Sequence, residues 1–106
     1  MNKHTPGPWM ARKCGGSGFA GQVGFAIDFN DDQEQVVDYV YEEADALLIA
    51  AAPDLLADLV DAAAQLRTYE ALHRAKNTEE SKAKAEVNAA LAARFEVTIA
   101  RARGEL

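Results

Sequence analysis

The sequence predicts an α+β fold: a short N-terminal antiparallel β-meander of about three strands, then a short helix, then a long antiparallel helical hairpin. Three observations predict it. Val23, Phe25, Ile27 and Phe29 alternate with Gly24, Ala26 and Asp28 at period two, the pattern of a strand with one face in a core. Beyond Glu42 the apolar period lengthens to three and four, as in amphipathic helices. Asn77-Thr78 then interrupts that pattern so briefly that the helices on either side must be antiparallel neighbours.

Each element follows from local chemistry. In His4-Thr5-Pro6-Gly7-Pro8-Trp9 two prolines fix φ while Gly7 allows a turn, delivering Trp9 as a core anchor at the start of an edge strand over residues 9–13. Cys14 to Gly18 reads as a turn, Val23 to Phe29 as the second strand, Asn30-Asp31-Asp32 as a second turn, and Val36 to Tyr41 as a third strand rich in β-branched and aromatic residues. Glu42, Glu43 and Asp45 suit the positive end of a helix dipole. Pro53 suits the first position of a new helix, so a bend is expected near Ala52. Leu55, Leu59, Ala62, Leu66, Tyr69 and His73 then mark one helix face, and Ala83, Val87, Leu91, Phe95 and Ile99 the apolar stripe of the last helix. Thr78 can cap that helix, and Gly104 stops it behind Arg101 and Arg103. The organisation expected is one domain over residues 1–106, with the meander in 1–41 and the helical part in 42–106.

Of the 106 residues 22 are alanine, so the 49 % apolar content overstates the core, and a thin core favours a homo-oligomer. The single cysteine, Cys14, forms no internal disulfide, and no apolar run approaches a membrane span, so a soluble cytoplasmic protein is expected. Charge is segregated: residues 14–66 contain eleven carboxylates and no Lys or Arg, while the two ends are basic. The acidic middle either neutralises the basic C-terminal helix or forms a docking face. Direct nucleic-acid binding is disfavoured, because phosphate neutralisation needs a basic footprint.

No catalytic set, metal site or cofactor is expected. His4 and His73 have no ligand partners at metal spacing, and His73 reads as a core or interface residue. Cys14 beside Arg12 and Lys13 lacks a partner base. The glycine-rich stretch from Gly15 through Gly16 to Gly21 invites a phosphate-loop reading, but no Lys-Ser or Lys-Thr follows and a strand comes next, so a hairpin loop is the plainer account.

His4 to Trp9 (HTPGPW) with Asp45 to Leu56 (DALLIAAAPDLL) resembles a family of small phage and prophage proteins carrying both strings, which cover 18 of the 106 residues. The layout is also similar to phage sponges of the Thoeris anti-defence type. That similarity implies a class, namely non-enzymatic sequestration of a nucleotide-derived immune signal in the cytoplasm of an infected bacterial host, and supplies no site residues. On that reading the partner is a cyclic dinucleotide or a cyclic ADP-ribose type of signalling nucleotide. Arg12, Lys13, Arg94 and Arg101 are the cations available for phosphates, Gly16 supplies backbone donors, and Phe19 or Trp9 can stack on a base. The alternatives are an acidic inhibitor of a host defence nuclease or regulator, a nucleic-acid mimic, and an accessory phage protein without a ligand.

Overall fold

The computed structural model describes residues 4–15 and 23–106. Five elements follow in chain order: β1 (Met10–Gly15), β2 (Val23–Asp28), β3 (Gln35–Val40), α1 (Glu43–Lys76) and α2 (Glu79–Ala102). The strands form an antiparallel meander in the order β1-β2-β3, so the α+β class read from the sequence holds. The chain divides into two compact units, Met1–Leu55 and Leu56–Leu106. The division falls inside α1, while the strand-to-helix change lies between β3 and α1, near residue 42 as expected.

In the first unit β1 is longer than expected, because Cys14 and Gly15 pair with Gly24 and Val23 instead of turning. The β2 to β3 turn is built by Asn30, whose side-chain oxygen accepts from the Glu34 amide at 3.0 Å while Phe29 N donates to Glu34 O at 2.9 Å. Gln33 takes φ 61° inside it, a left-handed conformation that the hydrogen-bonded turn imposes on a residue with a Cβ. The alternation of β2 is only half as expected. Ile27 is fully buried, but Phe25 and Phe29 are half-buried and Val23 is 47 % exposed at the strand end. The opposite face, Gly24, Ala26 and Asp28, is buried as well, so the central strand is covered on both sides.

The HTPGPW turn closes on itself and on α1. Trp9 Nε1 donates to the Thr5 carbonyl at 3.1 Å, and the His4 ring meets the half-buried Trp9 edge-on at 6.0 Å. A Cβ placed on Gly7 would come within 3.0 Å of Pro53 Cβ, so the glycine lets this turn lie against the proline ring. Pro53 therefore touches the N-terminal turn from within α1. The helix runs through it from Glu43 to Lys76 without the expected break, so the short separate helix merges with the long one. Proline removes one hydrogen bond and costs about 3 kcal/mol in a helix interior. Alanine- and leucine-rich turns on both sides and the packed ring account for the helix continuing.

In the second unit Asn77, at φ 54°, ends α1, and Thr78 caps α2 by accepting from Ser81 N at 3.1 Å. At the far end Gly104 takes φ 70°, and the Glu105 amide returns to the Ala100 carbonyl at 2.8 Å. Both stops are as expected from the sequence. The buried line of α2 is different: it is Ser81, Ala85, Ala92 and Ile99, whereas Val87 is 68 % and Leu91 36 % exposed. A step of four advances about 40° beyond a full turn, so a stripe at steps of four winds off the contact, while a step of seven stays within about 20° of it.

Arg67 fixes the level of the two helices in this unit. Its Nε and Nη2 donate to Glu96 at 3.1 and 2.6 Å, and its Nη1 donates to Glu70, which also accepts from Arg74. Hydrogen bonds from Arg67, and then from Arg74, hold the Glu70 carboxyl below its ordinary value, and Arg67 does the same for Glu96.

Two predictions follow from this architecture. Ile27→Ala should cost roughly 2 to 5 kcal/mol, whereas Val23→Ala should stay within about 0.5 kcal/mol. Equal melting temperatures for the two variants would contradict the burial pattern. The Glu70 and Glu96 carboxyls have folded values below 4.5, so their contribution is complete above that pH and disappears as pH falls through the folded values. Wild type should thus lose more stability than Glu96→Gln between about pH 5 and pH 3, and parallel melting curves of the two proteins across that window would rule the network out as a contributor.

Candidate functional site

Of the candidate ligand residues, Arg12 and Lys13 lie in the first unit and Arg94 and Arg101 in the second. Gly16 and Phe19 fall outside the described residues. Strand alternation puts Arg12 and Lys13 on opposite faces of β1, because Arg12 pairs with Ala26 and Lys13 with Phe25. The two adjacent cations therefore do not form one anion clamp.

Arg12 is already engaged. Its Nε donates to Asp28 Oδ2 at 2.7 Å and its Nη2 to Asp28 Oδ1 at 3.2 Å, while the Asp28 side chain is only 8 % exposed. The Gln35 amide, oriented to satisfy both neighbours, accepts from Arg12 Nη2 at 2.9 Å and donates to Asp38 Oδ1 at 2.9 Å. One polar chain thus crosses all three strands on the Gly24-Ala26-Asp28 face. The hydrogen bond to Asp28 raises the Arg12 guanidinium above its ordinary value. A shallow groove beside this pair is lined by Pro8, Met10, Arg12, Phe29, Asn30 and Asp31. It contains one cation against two carboxylates, Asp28 and Asp31, which disfavours a phosphate there.

Farther along the same face a Cβ on Gly24 would fall inside the Tyr39 ring, so the glycine admits the ring over the strand. Tyr41 meets Tyr39 edge-on at 4.9 Å. Burial, then the nearby Cys14 and Tyr41, raise the Tyr39 hydroxyl above its ordinary value.

The other carboxylates of this unit behave differently from Asp28. Asp31, Asp32, Glu34, Asp38, Glu42, Glu43, Asp45 and Asp54 are all exposed. None of them forms an ion pair among the described residues. They run from the β2 to β3 turn through β3 into the first turns of α1. In the second unit Arg94 and Arg101, seven residues apart and both exposed, share one stripe of α2 and also have no ion-pair partner among the described residues. Among the described residues no group of three His, Cys, Asp or Glu is placed to hold a metal ion, and no helix is long and apolar enough to cross a membrane.

Sequence reasoning missed Asp28, Gln35 and Tyr39. Asp28 carried a usable signal, a carboxylate ending a strand whose neighbours are apolar, but its pairing with Arg12 depends on a register that composition does not give. Arg12→Ala should leave the Asp28 carboxylate buried and unpaired and cost roughly 2 to 3 kcal/mol, less than a fully buried pair because Arg12 is partly exposed. Unchanged thermal stability of Arg12→Ala would show that the pair carries no weight.

No curated protein and no solved structure matches the chain. A family model described as Salmonella phage P22 protein Y8K6 matches residues 1–106. Since that match spans every residue, the chain belongs to the family of the Salmonella phage P22 protein Y8K6.

Proposed function

We propose that this phage protein is a non-enzymatic binding protein whose acidic first unit docks on a basic surface of a host defence nuclease or regulator. One observation carries the reading: eight exposed carboxylates, from Asp31 to Asp54, lack any cation partner among the described residues. Like charges held together by a folded scaffold raise the potential over that surface, speed encounter with a basic partner and penalise acidic ones. Occupying a nucleic-acid site requires no reacting group. The place of action on this reading is the cytoplasm of the infected host.

Nucleotide sequestration, the class implied by the resemblance, is the second reading, and the open Arg94 and Arg101 pair favours it. Two charge-assisted contacts to phosphate would each contribute roughly 1.5 to 3 kcal/mol. The engagement of Arg12 by Asp28 weighs against the part of that reading that relies on β1.

The test uses both ligand classes. A host protein captured at low salt is identified and purified, then titrated calorimetrically with wild type, with Asp31→Lys/Glu34→Lys, and with Arg94→Ala/Arg101→Ala. In parallel the same three proteins are titrated with cyclic dinucleotides and cyclic ADP-ribose species. The acidic reading expects the Lys pair to weaken partner binding at least about tenfold, mainly through association rate, with added salt reproducing the effect. Nucleotide binding tighter than about 10 μM, abolished by the Arg94 and Arg101 changes and indifferent to the acidic ones, would replace this reading with the second.

A further inference from the structure

The N-terminal part of α1 carries an apolar strip that the first unit leaves open. At about 100° per residue Ala44, Leu47, Leu48, Ala51 and Leu55 fall within a sector about 100° wide. Leu47, Leu48 and Leu55 are 58, 64 and 52 % exposed there. The inner side of the helix lies roughly half a turn away, where Ala46 is fully buried and Pro53 meets the Gly7 turn. The strip is therefore the outward side of a helix that is held by its inner side. Leucines exposed singly are ordinary, but leucines grouped on one face and rimmed by polar residues mark an interaction surface.

The rim of this strip has a single sign, which fixes the chemistry of what covers it. Glu43 and Asp54 bound one edge and Asp45 lies beyond the other. All three are exposed and have no ion-pair partner among the described residues. Residues 14–66 contain no Lys or Arg, so no cation stands anywhere along this length of α1. Such a rim repels an anionic bilayer, and two copies packed strip to strip set acid against acid in either direction. An apolar cleft edged by cations meets the leucines and the carboxylates at once. The spacing suits a helix laid in a groove, because Ala44, Leu47, Leu48 and Ala51 recur at i, i+3, i+4 and i+7 and Leu55 extends the row by one turn.

We infer that this strip is the apolar anchor of the docking surface: α1 lies in a cation-edged apolar groove of a basic host protein, with Leu47, Leu48 and Leu55 buried in the groove. The inference rests on the acidic-docking reading and adds to it the contact that charge alone does not supply. Exposed carboxylates steer the encounter and act mainly on the association rate. Leucines that leave water only in the complex hold it together and act on the dissociation rate. The two contributions reside on different residues, so they can be measured apart.

The test uses the full chain and the host protein purified for the titrations above, with binding rates followed by surface plasmon resonance and folding by circular dichroism. Leu48→Gln/Leu55→Gln should keep the helix content of wild type and weaken binding at least about tenfold, through faster dissociation and with the salt dependence unchanged. Leu72→Gln, at an exposed leucine outside the strip, should bind like wild type, and equal weakening by this variant overturns the assignment. If Leu48→Gln/Leu55→Gln binds like wild type while Asp31→Lys/Glu34→Lys binds weakly, the anchor is overturned and acidic docking stands. If no basic host protein binds wild type, or binding is indifferent to Asp31→Lys/Glu34→Lys, both fall together. Two other occupants are read by sedimentation of the chain alone and with phosphatidylglycerol vesicles. A wild-type oligomer, or vesicle binding, that Leu48→Gln/Leu55→Gln abolishes overturns the inference.

Discussion

Small residues at the closest contacts set the terms for everything else in this molecule. Among the described residues the fully or nearly fully buried apolar positions are Ala26, Ala46, Ala63, Ala85 and Ala92, joined only by Ile27 and Ile99. Gly7 against Pro53 and Gly24 beneath Tyr39 extend the same device to the N-terminal turn and the sheet. Such positions let backbones approach closely, but a methyl group removes little apolar area from water, at about 25 cal/mol per Å². The narrow seams also leave Leu47, Leu48, Leu55 and Leu72 more than half exposed. A chain of this kind buries apolar surface efficiently at its lines of contact and sparsely everywhere else.

Polar pairs supply orientation where apolar area is short, and their weights differ with burial. The Arg12 to Asp28 pair has a carboxylate that water barely reaches, so losing its partner carries a desolvation penalty. The Arg67 to Glu96 pair has both members close to half exposed, where solvent and salt screen most of the attraction. The first therefore holds the sheet together across β1, β2 and, through Gln35, β3. The second mainly selects the register at which two alanine-lined helices meet, a choice that alanine alone leaves loosely specified.

The sequence disclosed those features whose cause is local. The β2 strand, the Thr78 cap and the Gly104 stop each depend on residues within a few positions of one another, and each is present. The phage affiliation also agrees with the family match. Features that depend on distant partners were misread or missed. Pro53 looked like a helix start because its ring penalty is local, whereas its contact with Gly7 is not. Ala83 to Ile99 looked like a core stripe because every residue in it is apolar, yet the partner helix selects the residues that recur at seven. Arg12 looked like an open cation until strand register put Asp28 beside it. At the candidate site, composition gave the sign of the acidic surface but not which carboxylates face water and which is consumed.

On the acidic-docking reading the exposed carboxylates bear on stability as well as on recognition. Like charges held on one folded unit repel one another, so the exposed carboxylates from Asp31 to Asp54 work against the compact first unit when no cation covers them. A basic partner that covers them removes that repulsion, and by linkage stabilises the folded unit in proportion to how tightly it binds. Under the acidic-docking reading the same surface repels a second copy of itself, so recognition of a basic partner and avoidance of like surfaces follow from one charge distribution.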